Sequence, residues 1–249
     1  MDETVLLGSG RTATVHPWDP GRVVKLFRPG YPRAAVDHEH ACADAVRPHA
    51  LPTPAAHGVV RHGERWGIVY DRVDGETLEA WALRTGDVAA CAAVLADVHR
   101  AVGAVRAGPG LPSYKDVLRA HLRAADLLPQ ADRSAALTLL DALDDGPWLC
   151  HGDLHPGNVL LAVTGPHVVD LTNLCRGPLL YDVARTVHLV QETPVPPDAP
   201  DAHALRTLKD AVAEAFLQAS GVTRAAVAPY LAVIRAARVG ECPDLPRVT

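Results

Sequence analysis

The sequence has no long basic run, no uninterrupted apolar stretch near the roughly 18 residues that a membrane helix needs, and no CxxC pair. The first absence, with 24 basic against 29 acidic residues and a net charge of −5, argues against a nucleic-acid scaffold. The second leaves no candidate membrane span. Five cysteines (Cys42, Cys91, Cys150, Cys175 and Cys242) are odd in number and far apart. That spacing argues against a disulfide framework or zinc ribbon and for a reducing compartment. Met1-Asp2-Glu3-Thr4 is acidic where a signal peptide begins with positive charge. The expectation is a cytoplasmic protein, monomer or homodimer, with no nucleic-acid or membrane partner. Lysine is scarce as well: 21 arginines stand against Lys25, Lys115 and Lys209. In such a chain a lysine inside an apolar strand calls for a reason.

What is there suits a folded enzyme-sized chain. Of 249 residues 48% are hydrophobic and 21% charged, which excludes a mostly disordered or collagen-like protein. The length allows one large domain or two small lobes. The first 75 residues are strand-rich: Thr4–Leu7 and Ala13–His16 flank a glycine turn, Arg22–Phe27 reads Arg-Val-Val-Lys-Leu-Phe, and Trp66–Val73 ends at the turn signal Asp74-Gly75. Arg33–Val46 between them has helical spacing and stops before Pro48, Pro52 and Pro54. From Thr77 the character is helical, with helices predicted over Val88–Val105, Tyr114–Leu128, Arg133–Leu143, Ala202–Ser220 and Arg224–Arg238. Short strands are predicted at Trp148–His151, Val159–Leu161 and Val168–Leu171, and a proline-rich loop at Pro194–Pro200. No internal repeat occurs.

The chemistry concentrates in His151-Gly152-Asp153-Leu154-His155-Pro156-Gly157-Asn158-Val159-Leu160. An aspartate five residues before an asparagine, on a loop between apolar runs, aims both side chains into one cleft. Twelve residues after Asn158, Asp170 closes Val168-Val169-Asp170, an acid at the end of an apolar strand. Asp153 can accept a proton from a hydroxyl. Asn158 and Asp170 are hard oxygen ligands suited to Mg2+ carried by phosphates.

These residues resemble the aminoglycoside phosphotransferase and choline kinase-like group, relatives of the protein kinases. The resemblance implies that HGDLHPGN is the catalytic loop, with Asp153 as base or hydroxyl-orienting group and Asn158 and Asp170 holding the metal. Arg176–Arg185 is similar to the group's G-D-P-x-x-D-x-A segment: Gly177 stands where an acid usually precedes proline, and Asp182 keeps the place of a loop-bracing acid. Gly8-Ser9-Gly10-Arg11-Thr12-Ala13 resembles a kinase glycine-rich loop with Ala13 at the third glycine; glycines let backbone amides approach phosphates. Lys25 then pairs with phosphates, oriented by Glu39. Asp37 and Asp44 lie on the same segment as Glu39, so the pattern leaves the choice of acid open. Trp66–Gly75 resembles the hinge strand, which puts Tyr70 at the gatekeeper position and Asp71 and Val73 against the nucleotide base. Some phosphotransferases with tyrosine there use GTP.

Other clusters carry less. His38, His40 and Cys42 fit a polar surface helix better than zinc. Tyr114, Trp81 and Trp148 read as packing residues. Asp141, Asp144, Asp145, Glu192, Asp198 and Asp201 are acids available to a cationic acceptor. The resemblance implies an α+β, two-lobed protein-kinase-like fold: a small β-rich N-lobe over 1–75 and a larger, mainly helical C-lobe over 76–249. The activity expected is Mg2+-dependent transfer of the γ-phosphate of ATP or GTP to a small-molecule hydroxyl, on an antibiotic of aminoglycoside or nucleoside type. The alternatives are a metabolite kinase and a catalytically silent nucleotide-binding module. A protein-substrate kinase is disfavoured because the loop is not HRDLKxxN and no activation segment separates Asp170 from Asp182.

Overall fold

The structure, a computed structural model, describes residues 5–195 and 201–241. Thr4, most of the Pro194–Pro200 loop, Asp198 and Cys242 lie outside the described residues. Two compact units form: one gathers the chain up to Glu76 with Leu160–Asn173, the other Thr77–Val159 with the chain from Leu174 onward. The segment 160–173, which sequence reasoning assigned to the larger lobe, therefore packs with the first unit.

In the first unit, β1 (Gly8–Ser9), β2 (Ala13–Pro17), β3 (Arg22–Phe27), β4 (Ala56–His62) and β5 (Arg65–Asp71) make an antiparallel sheet in the order β1-β2-β3-β5-β4, with α1 (Arg33–Val46) between β3 and β4 in the chain. Alternation along β3 buries Val24 and Leu26 on one face and leaves Lys25 on the other, opposite Val15 and Ile68 in register. Helix α1 buries Val36, Glu39, Ala43 and Val46, an i, i+3, i+4 stripe in which the only charged member is Glu39. Each fully buried aliphatic of this sheet contributes about 1.5–3 kcal/mol. Strand β6 (Gly75–Thr77) belongs to a three-stranded sheet with β8 (Val159–Ala162) and β9 (Gly165–Val168), in the order β6-β8-β9. Gly75 has ordinary backbone angles, and a Cβ there would collide with the Leu161 carbonyl. Its role is a close strand contact rather than the turn expected from Asp74-Gly75.

The second unit is helical: α2 (Leu78–Thr85), α3 (Val88–Gly103), α4 (Tyr114–Ala124), α5 (Gln130–Ala142), α6 (Leu179–Glu192), α7 (Ala202–Ala219) and α8 (Arg224–Glu241), with β7 (Trp148–Cys150) paired antiparallel to β10 (Cys175–Gly177). Side-chain oxygens of Thr77, Asp87, Ser113 and Asp201 accept first-turn amides of α2, α3, α4 and α7. Helix α6 is buried on every face from Tyr181 to Val190. Lys115 donates to the carbonyls of Leu143 (2.5 Å) and Asp141 (3.4 Å), capping the end of α5. Tyr114 is buried against Tyr181, whereas Trp148 is half-exposed under Arg106. Gly177 faces the Tyr114 ring, which a Cβ would approach to 3.0 Å; that packing accounts for the missing acid before proline. Among the described residues no helix is long and apolar enough to cross a membrane.

Candidate active site

Two groups of polar residues, one in each unit, contain the residues singled out from the sequence. In the first unit, Lys25 Nζ donates to both oxygens of Glu39 at 2.8 and 3.0 Å and to Asp170 Oδ1 at 3.1 Å. Residues 145 positions apart are thus joined through one ammonium. Burial works against the charge on Lys25, but the carboxylates of Glu39 and Asp170 hold its pKa above the usual lysine range. The choice left open among the acids of α1 is resolved. Asp37 pairs with Arg33 and Asp44 with Arg47 and His40 on the surface, and Glu39 alone reaches Lys25. Strand β9 stops at Val168, so Asp170 is not at a strand end; it sits in a left-handed conformation (φ 63°) just before a 3-10 turn over Leu171–Asn173. Non-glycine residues adopt such angles at a cost, and they concentrate at functional sites.

Tyr70 lies on β5 with its hydroxyl donating to Glu39 Oε1 at 3.0 Å. Burial and then the Glu39 charge push its phenol far up. Asp71 ends the same strand and takes His57 Nε2 at 2.6 Å, and Val73 follows, half-buried. Gly8 and Ser9 pair with Val15 and Thr14, and the amide of Gly10 donates to the Ala13 carbonyl to close the turn. His38 reaches Cys42 Sγ at 3.6 Å and the Thr172 carbonyl at 3.2 Å. Among the described residues no group of three or more His, Cys, Asp or Glu is placed to hold a metal.

In the second unit the loop after β7 is braced from below. Asp182, fully buried on α6, accepts the amides of His151 (3.1 Å) and Gly152 (2.8 Å), with His99 Nε2 3.3 Å away. Burial pushes its carboxyl up, but the His99 contact and the loop amides win and hold it below the usual aspartate range. Gly152 is left-handed (φ 73°), which turns the chain between these two amides and Asp153. The Asp153 amide donates to His151 Nδ1 at 3.2 Å, and the Gly157 amide to His155 Nδ1 at 3.1 Å. Asn158 ends a 3-10 turn over Pro156–Asn158 and donates through Nδ2 to the Asp153 carbonyl at 2.9 Å, with Asp153 Oδ2 at 3.5 Å. The other atom of that amide, its carbonyl oxygen, is the one able to ligate a cation.

Sequence reasoning missed Arg185, three residues after Asp182 and on the same helix face. It donates to the Gly152 carbonyl at 2.8 Å, approaches Asp153 Oδ1 at 4.0 Å, and is ion-paired with Glu241. The i, i+3 spacing from Asp182 was the available signal. Thr172, two residues after Asp170, was missed too, and no pattern marks it.

A family model for the phosphotransferase enzyme family matches residues 4–230. The chain belongs to that family. Solved structures of similar fold include a thermostable mutant of aminoglycoside phosphotransferase APH(4)-Ia with ADP and hygromycin B. Its TM-score is 0.66 at 17% identity, over 96% of this chain and 85% of that one. Aminoglycoside phosphotransferase APH(3'')-Id from Streptomyces rimosus, with ADP and streptomycin, gives 0.56 at 19% identity over 87% of both chains. A choline/ethanolamine kinase family protein from Mesorhizobium loti gives 0.58 at 15%, over 94% and 76%. No curated protein matches by sequence. As a phosphotransferase with a kinase-like fold, the chain has the architecture that the family resemblance implied. Of the acids considered for a cationic acceptor, four have partners of their own. Asp141 pairs with Arg119, Asp145 lies near Lys115, Asp201 caps α7, and Glu192 is held by Arg235 and His188.

Proposed function

We propose that this phosphotransferase moves the γ-phosphate of ATP or GTP to a hydroxyl of a small molecule, with Asp153 orienting the hydroxyl and taking its proton. The acceptor oxygen forms a bond to the γ-phosphorus as the bond to the bridging oxygen breaks, and the nucleoside diphosphate leaves. Lys25, aimed by Glu39, holds the phosphates, and the glycine turn closed by the Gly10 amide lets them approach the backbone at Gly8 and Ser9. A Cβ at Gly8 or Gly10 would meet nothing closer than 3.8 Å, so packing does not ask for glycine there, whereas close approach of a phosphate does. Asn158 and Asp170 are the residues that would hold Mg2+. Their hard oxygens fit that ion, which needs few protein ligands when phosphates supply the rest. When bound it neutralises the charge on the β- and γ-phosphates.

The observation that carries this reading is the bridge from Lys25 to both Glu39 and Asp170 within 3.1 Å, which supports it by holding the ammonium in one place beside the carboxylate read as a metal ligand. The Asp71 and Val73 backbone and the Tyr70 ring meet the purine in this reading, and Tyr70 favours GTP. The acceptor is an antibiotic of aminoglycoside or nucleoside type, whose phosphorylation would inactivate it, and the reaction runs in the cytoplasm, where nucleoside triphosphates are made. Solved structures of similar fold hold streptomycin or hygromycin B, and one is a kinase of amicoumacin.

Thermal unfolding with Mg2+ and ATP, then GTP, on wild type and Asp170→Ala tests the donor. A ligand at ~100 times its Kd stabilises the folded state by about 2.7 kcal/mol. A Mg2+-dependent shift that Asp170→Ala loses supports the reading, and an ATP-only shift removes the GTP preference. Turnover on a panel of hydroxylated antibiotics and metabolites then separates an enzyme from a silent nucleotide-binding module.

A further inference from the structure

Glu39 is 2% exposed, and its charge is matched by one cation, Lys25. Each of its carboxylate oxygens takes a second hydrogen bond, and both come from hydroxyls. Tyr70 donates to Oε1 at 3.0 Å and Thr172 Oγ1 to Oε2 at 2.8 Å. Thr172 Oγ1 also stands 2.9 Å from Asp170 Oδ1, the oxygen that accepts from Lys25. Thr172 is therefore an uncharged side chain in contact with both acids. A hydroxyl carries one proton, so it donates to one of them at a time, and the other is held by the ammonium. The backbone reinforces the link, since the Thr172 carbonyl meets His38 Nε2 at 3.2 Å, one residue before Glu39 on α1. Asp170, in its left-handed conformation, thus has a partner that reaches back from the turn it opens.

We propose that Thr172 is a positioning residue of the phosphoryl-transfer site, coupling the aim of Asp170 to the Lys25–Glu39 pair, while Tyr70 fixes the other oxygen of Glu39. The proposal rests on the functional reading above and concerns how its parts are held. Removing the Thr172 hydroxyl loosens Asp170 and Glu39 together, so metal-dependent nucleotide binding suffers. Removing the Tyr70 hydroxyl loosens Glu39 alone, so nucleotide binding suffers without a change in the metal requirement.

The test is calorimetric binding of ATP and GTP as a function of Mg2+ concentration, on the full chain and on Thr172→Val, Thr172→Ser and Tyr70→Phe. A hydrogen bond to a charged group is worth about a factor of ten in an equilibrium constant. Thr172→Val is expected to raise the half-maximal Mg2+ concentration about tenfold, and Thr172→Ser to bring it back to within about twofold of wild type. Tyr70→Phe is expected to weaken nucleotide binding about tenfold with the Mg2+ dependence unmoved. An unaltered Mg2+ dependence in folded Thr172→Val, or no recovery in Thr172→Ser, overturns the proposal. Thr172→Ala carries the same comparison where the valine variant does not fold. A wild-type chain that binds neither nucleotide at any Mg2+ concentration overturns the phosphotransferase reading itself, and this inference with it.

Discussion

Asp182 holds Gly152: a carboxylate on a buried helix accepts, at 2.8 Å, the amide of a glycine 30 residues earlier, and its second oxygen takes the His151 amide. The peptide that presents Asp153 is therefore fixed from outside its own loop. Asp182→Ala removes both acceptors and leaves two buried amides and His99 without this partner. Removing one member of a buried charged cluster costs about 3–5 kcal/mol. The expected outcome is a loss of that size in urea unfolding; a loss under 1 kcal/mol would remove Asp182 from the loop's support.

Lys25→Met leaves Glu39 buried without its cation. The variant is expected to lose about 3 kcal/mol or more of stability, and nucleotide binding with it. Adding Glu39→Gln should return part of the stability, because the uncompensated charge is gone, without returning nucleotide binding. A double-mutant cycle by denaturant unfolding, run beside nucleotide titrations, separates the two effects.

Asp153→Asn keeps the size of the side chain and removes its basicity. Its turnover is expected to fall by about 10²–10⁴, with nucleotide affinity within about twofold of wild type. Single-turnover kinetics against equilibrium nucleotide binding makes the comparison. Equal turnover in the two proteins would take the proton-accepting role away from Asp153.

Acid should expose two carboxylates at the ends of α6 and α8. Burial pushes Glu192 up, but His188 and Arg235 overcome it and hold its pKa at about 2. Burial likewise opposes Arg185 and Arg238 at Glu241, which is also held at about 2. Both folded pKa values lie below the unfolded one near 4.5. Their contribution is therefore complete above about pH 4.5 and is lost as pH falls from there toward about 2. Denaturation midpoints between pH 6 and pH 3 should drop, and Glu192→Gln should flatten part of that drop at the cost of lower stability at pH 6.

Local pattern accounts for much of this. Arg33–Val46 and Arg22–Phe27 form as expected because amphipathic spacing and β-branched alternation are local properties. Strand β4, with only part of its surface buried, was not anticipated, and α6, whose bounds were not set from the sequence, is buried all round. The position of β9 was misjudged: expected over Val168–Leu171, the strand runs over Gly165–Val168. Val168-Val169 reads as strand, but the chain turns left-handed at Asp170 to meet Lys25, so a tertiary contact ends the element.

Sequence alone determined the chemical inventory. Asp153, Asn158, Asp170 and Lys25 stand out because their types and spacing in loops and strands are rarely met by chance. Only the tertiary structure decided which acid of α1 meets Lys25, that Thr172 and Tyr70 complete the shell of Glu39, and that Asp182 and Arg185 grip the loop at Gly152. Those contacts join residues up to 133 positions apart. A short polar side chain such as threonine leaves no periodic trace, so its partner is set by packing, which spacing along the chain does not record.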